Sequence, residues 1–428
     1  MQGATLTHIA WSRRIPLRYE ADVAVIGGGI AGISAACAAA AGGAKVILVE
    51  RFGVTGGNAT TGGVAAFCGE TAGQGEVFDA IIADLEQFRA IGPYGSYPKV
   101  DHRLFNHEIL AVVLQELLLR RGVKLLLHTQ FVDVSVSDDG RIRECIVCGK
   151  SGPEALRAKQ FIDCTGEAQV AHMAGFATMK GRQEDSIQLP MSLMFFTRDV
   201  EGDDIHCQVP EGWFETIRDR EELPMTSRWP NGPGSSAFKV KIPMFDASDT
   251  ESMTAAEIRA RRRMMEVLDY YQRVENRNFI LDHCSPQIGI REGRRVVGDY
   301  VLTVDDLRAA RTFDDAIARG VYFLDAHKPD DDKRTYVLAH HDLKVPPYHI
   351  PFRSLLVKDS RNMLVAGRCM SADQLALSSA RVMPTCAMMG QASGIAAAIS
   401  VRDSCDPRDT DYMEVRRTVE QRGANLSL

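Results

Sequence analysis

Short apolar runs bounded by glycines mark the chain from its first hundred residues. Asp22-Val-Ala-Val-Ile26 is β-branched and too short for a helix, and it predicts a buried strand. Beyond Gly27-Gly-Gly-Ile-Ala-Gly32, the alanine-rich stretch Ile33 to Ala41 predicts a helix ended by Gly42-Gly43. Ala44-Lys-Val-Ile-Leu-Val49 predicts a second buried strand closing on Glu50. The uncharged run from Val23 to Ala44 is as long as a membrane helix, but its glycines and Ser34 fit strand, turn and helix better. Asn106 to Arg121 is amphipathic at helical spacing, and Val123 to His128 and Phe131 to Val136 predict strands. Buried strands are predicted at Phe161-Ile-Asp-Cys-Thr-Gly166 and Asn362-Met-Leu-Val-Ala-Gly-Arg-Cys369. A helix follows within Ser378 to Gly394, with Pro384 in its first turn. Between these lies a long helix from Thr254 to about Arg277, with Met264, Leu268 and Tyr271 on one side. Arg291, Arg294 and Arg295 fall in an expected strand, which places Arg291 and Arg295 on one face.

The first glycine cluster carries chemistry, because G-x-G-x-x-G at Gly27, Gly29 and Gly32 sits between its strand and its helix, with an acid closing the next strand. Gly27 turns the chain out of the strand, and Gly29 admits a pyrophosphate to the backbone N–H groups around Ile30 and Ala31. Gly32 lets helix and strand pack closely, and Glu50 is placed to accept from a ribose. A second cluster follows in Arg51-Phe-Gly-Val-Thr-Gly-Gly-Asn-Ala-Thr-Thr-Gly-Gly63, which a nicotinamide unit does not need. With the first, it resembles the glutathione-reductase-like FAD-binding superfamily, and nearly the whole chain from about Ala21 to Ala398 is similar to bacterial FAD-dependent oxidoreductases. The resemblance implies an α/β fold, a Rossmann-like FAD-binding domain of parallel sheet with β-meander, and an inserted α+β substrate domain. It further implies FAD contacts at Arg51, Gly56, Gly57, Asn58 and Thr61, and at the adenine from Val132. Nearer the flavin it implies Thr165, Gly166, Gly367, Arg368, Pro384, Gly390 and Gln391. Cys164 and Glu167 stand where the superfamily more often has Ala and Asp. Gly390 and Gly394 fit close helix packing as well as a flavin role.

Composition narrows the class without naming a substrate. Lys plus Arg is 50 and Asp plus Glu 56 in 428 residues, a net charge of −6, which excludes bulk attraction to nucleic acid or an anionic membrane. The 10 cysteines are too irregular for a disulfide framework, so the expected compartment is the reducing cytoplasm. Cys145 and Cys148, three apart in a strand, face opposite sides, so no metal site is expected there. The expected domains are an FAD-binding unit of residues 20–190 and 350–428, and a substrate-capping unit of residues 191–349. No second strand–GxGxxG–helix is present, so a built-in nicotinamide domain is not expected.

The expected reaction is hydride transfer between a small polar organic substrate and flavin N5, by a dehydrogenase or an oxidase. An external electron acceptor or donor completes it, and homo-oligomers are compatible with it. Flavin monooxygenation, alkene reduction and a flavin-carrying electron-transfer subunit are the alternatives. His349 is the first candidate base, with His340 and His341 behind it. Arg291, Arg353 and Arg381 are candidates to clamp a substrate carboxylate or a flavin carbonyl. The arginines 259, 261, 262 and 263 read as a solvated helix face.

Overall fold

The computed structural model describes residues 12–93, 102–200 and 208–428. The first apolar run is the end of strand β1 (Leu17–Ile26), followed by helix α1 (Ile30–Ala41) and strand β2 (Val46–Val49). Helices α2 (Glu76–Gln87) and α3 (His107–Arg120) come next, α3 being started by Asn106, whose side chain accepts from Glu108 and Ile109 N–H. Strands β3 (Lys124–Leu126), β4 (Gln130–Val136), β5 (Ile142–Gly149) and β6 (Gly152–Asp163) complete this half.

These strands form one sheet in the order β3-β2-β1-β6-β5-β4. β1, β2, β3 and β6 are parallel, whereas β4, β5 and the first half of β6 form an antiparallel meander. The uninterrupted burial of β2 follows from cover on both faces, which is why it reads as a continuous apolar run. The long strand β6 serves both parts. Its last three residues pair in parallel with a strand from far along the chain (Met363–Val365), so Ile26, Val49, Asp163 and Val365 end at one edge.

The inserted sheet has strands β7 (Met191–Asp199), β8 (Thr226–Pro230), β9 (Ser235–Ile242) and β10 (Phe279–Cys284), in the order β8-β9-β7-β10 and all antiparallel. Period-two alternation gives it two different faces. Leu193, Phe195, Phe238, Val240 and Ile242 pack with the long helix α4 (Thr250–Arg273) into a second core. Met194, Phe196 and Ala237 face the other way, with Val64 and Trp229 against them. That second core ends at Ile290, and apolar residues from Val296 to Ile350 belong to the larger core. The segment 191–349 therefore divides between the two cores. On α4, Arg259 and Arg263 pair with Glu215 and Glu266, and Arg261 pairs with Glu257.

The arginine segment differs from expectation. Only Arg294–Val296 is strand, pairing with Thr178–Lys180, and Arg291 lies before it in irregular chain. Buried Glu292, next along the chain, accepts from Leu189 N–H and pairs with the buried Arg295, while Arg291 bonds the Pro190 carbonyl and Ser192 instead of a strand partner. Helices α5 (Gln374–Ala380) and α6 (Met383–Asp403) follow the Met363–Val365 strand, and α7 (Tyr412–Gln421) ends the fold. Among the described residues no single helix is long and apolar enough to cross a membrane.

Candidate cofactor and substrate site

Four turns gather where the parallel strands end: Gly27–Gly29 after β1, Glu50–Arg51 after β2, Thr165–Gly166 after β6, and Gly367–Arg368 after the last strand. All of them line one cavity of about 1020 Å³. Ligands of open α/β sheets bind at this position, outside the carboxyl ends of the strands. Gly27 needs its glycine, with φ at +103° and a Cβ that would lie 2.4 Å from the Cys164 carbonyl oxygen. Buried Asp163 shapes the turn after β6, where its carboxylate accepts from Thr165 N–H and Oγ1 and from Val170 and Ala171 N–H.

Two helix N-termini open into this cavity without a side-chain cap, α1 at Gly29 and α6 at Val382. Helices α3, α4, α5 and α7 carry such caps, from Asn106, Asp249, Asp373 and Asp411. Uncapped first turns keep their N–H groups and the positive end of the helix dipole available to a ligand. A Cβ built on Gly29 meets nothing within 4 Å, so this turn leaves room for a group to approach the backbone. The cradle, its two bare helix ends and its volume fit a pyrophosphate-containing dinucleotide.

One wall of the cavity comes from Thr129, Gln130 and Phe131, and the wall beside it from Glu50 and Arg51. Glu50 is buried and accepts from Gly28 N–H at 2.7 Å and Phe52 N–H at 2.9 Å. Burial raises its pKa against those two bonds. Arg368 donates from Nε to the Gly166 carbonyl at 2.8 Å and from Nη1 to the Ile290 carbonyl at 2.6 Å. Asn58 donates to the same Ile290 oxygen at 2.8 Å, so both clusters are tied to the inserted segment.

The cavity continues into a polar chamber bounded by Ser192, Ser227, Lys239, Arg291, Tyr322, Asp325, His327, Tyr336 and Arg381. Arg381 donates to the Asp325 carboxylate at 2.9 Å, and His327 Nε2 lies 3.0 Å from its other oxygen. Burial pushes Asp325 up, but His327, Arg381 and Arg291 outweigh it and hold the carboxyl well below its usual range. Burial pushes His327 down to about 3 despite Asp325, so the imidazole is neutral and donates from Nε2. Its Nδ1 is buried with no partner among the described residues. Arg291 donates from Nη1 to the Pro190 carbonyl and to Ser192 Oγ. Cys68 Sγ lies 3.4 Å from His102 Nε2 on the same wall.

Residues 22–419 match the family model described as FAD dependent oxidoreductase. The chain belongs to that family. No curated protein matches the sequence. Among solved structures, OxyS anhydrotetracycline hydroxylase from Streptomyces rimosus is 15% identical with a TM-score of 0.47. The match covers 94% of this chain and 65% of OxyS, so the chain spans about two thirds of that hydroxylase. A geranylgeranyl bacteriochlorophyll reductase-like protein from Thermoplasma acidophilum is 13% identical, with a TM-score of 0.46 over 94% of this chain and 83% of its own. The myxobacterial chondrochloren halogenase CndH is 12% identical, with a TM-score of 0.48 over 95% of this chain and 79% of its own.

In this FAD dependent oxidoreductase, several expected site residues stand elsewhere than the cavity wall. His349 is buried against the C-terminal segment, with Nε2 2.8 Å from the Leu426 carbonyl and Phe313 N–H donating to Nδ1. Burial lowers its pKa, so it is a neutral structural histidine. Arg353 is half-exposed and forms a forked pair with Asp315. Val132 points outward because Phe131 points in, as strand alternation requires. Thr61 donates to the Gly57 carbonyl and accepts from Gln287, which fixes the loop from behind. Gly32 packs on the Gly27 carbonyl and Gly390 on the Ala31 carbonyl, and Cβ atoms there would sit 1.9 and 2.1 Å away. Pro384 is buried in the first turn of α6, while Val382, Met383 and Cys386 line the cavity. Gln391 accepts from Val77 N–H and donates to the Arg422 carbonyl, so it caps α2.

The sequence reading missed Lys239, Asp325 and His327. Phe238, Val240 and Ile242 alternate with Ala237, Lys239 and Lys241, a signal that by itself reads as a solvent face. Asp325 and His327, two apart in an irregular stretch, carry no motif.

Proposed function

We propose that this FAD dependent oxidoreductase transfers a hydride between flavin and a small polar organic substrate bound in the chamber at the far end of the cavity. One observation carries the reading: the cofactor cradle opens without interruption into a chamber with partly buried cationic groups and a neutral histidine. FAD supplies the two-electron chemistry when bound. The cradle residues are Gly27, Gly29, Ile30, Ala31, Glu50, Arg51, Gly56, Gly57 and Asn58, with Thr165, Gly166, Gly367 and Arg368 beyond them. Arg291 and Arg381 would orient the substrate, and His327, whose Nε2 braces the Asp325 carboxylate beside Arg381, would position that pair. The inserted sheet would cover the reacting end and exclude water.

Anaerobic mixing of the purified protein with candidate metabolites tests this reading, because a true substrate bleaches the flavin absorbance. A colourless protein that releases no flavin on denaturation defeats it. Monooxygenation, the type of activity in the name of OxyS, is the second reading. Likeness of fold does not choose between them, and isotopically labelled dioxygen does. Label recovered in the organic product establishes oxygen insertion, and label only in peroxide or water establishes hydride transfer.

A further inference from the structure

Strand β9 carries two lysines on the cavity-facing side of the inserted sheet, and they are treated differently. Lys241 is 2% exposed and its Nζ donates to the Asp331 and Arg334 carbonyls. Lys239, two residues earlier and on the same face, lines the cavity between Met194 and Ser227 of the neighbouring strands. Among the described residues its Nζ has neither a hydrogen-bond acceptor nor an ion-pair partner. Arg291 faces the same space, and only neutral acceptors hold it. Its Nη1 is taken, and among the described residues Nε and Nη2 have no acceptor, which leaves them as a fork. Among the described residues that bound the chamber the one acid is Asp325, already occupied by Arg381 and His327. Two cations without an acid of their own are costly to desolvate, and a bound anion removes the cost.

We propose that Lys239 and Arg291 form the subsite for a carboxylate of the substrate, with Arg291 presenting a planar fork and Lys239 a point charge. The proposal rests on the reading of this cavity as an FAD and substrate site, and it narrows the substrate class to organic acids. A fork fits the two oxygens of a planar carboxylate, and an added ammonium makes a neutral amide or alcohol a poor substitute.

Proton linkage gives the proposal a signature apart from turnover. Burial lowers the Lys239 pKa to about 8, and Arg291 and Arg381 push in the same direction, against Asp325 and Cys68. A carboxylate placed beside the amine raises that pKa again. Anion binding just above pH 8 therefore takes up a proton, and binding near pH 6 takes up none because the amine is already charged.

The experiment is calorimetry on the FAD-loaded protein with acetate, oxalate, succinate and benzoate, in buffers of different ionisation enthalpy, with succinamide as neutral control. At least one carboxylate should bind and perturb the flavin spectrum, with proton uptake near pH 8.5 and none near pH 6. Lys239→Met should weaken that binding about tenfold or more and abolish the uptake. Lys239→Arg should restore affinity without restoring uptake, since guanidinium stays charged. Failure of every carboxylate to bind a yellow, folded protein overturns the subsite and leaves the FAD reading intact. Equal binding of succinamide, or unchanged proton uptake in Lys239→Met, also overturns it. A colourless protein overturns the functional reading on which the subsite rests.

Discussion

Gly29 and Gly390 are both small residues beside α1, yet their small size serves opposite purposes. A Cβ on Gly29 meets nothing within 4 Å, whereas one on Gly390 would lie 2.1 Å from the Ala31 carbonyl oxygen. Gly29→Ala should therefore leave the melting temperature of the apoprotein nearly unchanged while weakening FAD binding about tenfold or more, by crowding the approach to the helix end. Gly390→Ala should destabilise the fold by about 1–3 kcal/mol or more, read from denaturant unfolding, because two backbones must separate. Equal melting temperatures for both variants would contradict this division. His327 gives a second prediction at this scale. His327→Gln should slow flavin reduction by substrate about tenfold and raise KM while FAD stays bound, because the Asp325–Arg381 pair loses its brace. An unchanged reduction rate and KM would remove His327 from that positioning role.

Helix ends separate structure from function at the next scale. α2 starts at Gly75 with no cap of its own, and Gln391 from the buried side of α6 supplies one to Val77 N–H. Gln391→Leu should cost about 0.5–2 kcal/mol in unfolding free energy, as for other lost caps, and leave FAD affinity unchanged. Reduced FAD affinity with unaltered stability would instead place Gln391 at the cofactor. Among the described residues α1 and α6 have no such substitute at the cavity, and their first-turn N–H groups stay open to it. The fold places them together through close contact, since Gly390 and Gly394 rest on the Ala31 and Ala35 carbonyls.

Acid sensitivity belongs to the whole molecule. His349 joins a strand of the larger core (Tyr348–Pro351) to Leu426 near the C-terminus, and burial holds it neutral. Its folded pKa lies below the unfolded value, so below about pH 6.5 the unfolded chain binds a proton that the folded chain refuses. That contribution is complete at neutral pH and is lost as pH falls toward the folded pKa, by at most about 1.4 kcal/mol per pH unit. The raised carboxyl groups of Glu50 and Glu167 have the opposite sign, so the test is a difference. The stability gap between wild type and His349→Gln should shrink from pH 7 to pH 5 in urea unfolding. A gap independent of pH would show that His349 is not held neutral.

The sequence alone determined the cofactor half. Gly27, Gly29, Gly32 and Glu50 mark a strand–turn–helix–strand unit whose requirements are local, since tight turns, bare helix ends and buried strands leave their signature within thirty residues. The second glycine cluster and the strand ends at Thr165 and Gly367 extended that reading to a longer dinucleotide. The proposed substrate end depends on long-range packing. Lys239, Arg291, Asp325, His327 and Arg381 come from separated segments, and nothing in their spacing announces that one chamber collects them. Lys239 occupies a polar strand position that would face water in an isolated sheet, and the packing of the inserted sheet turns that face into a cavity wall. His349, suitable by type and position in the chain, is taken up by Leu426 and Phe313. Local geometry is written in residue order, but desolvation and partnership depend on what folding brings alongside.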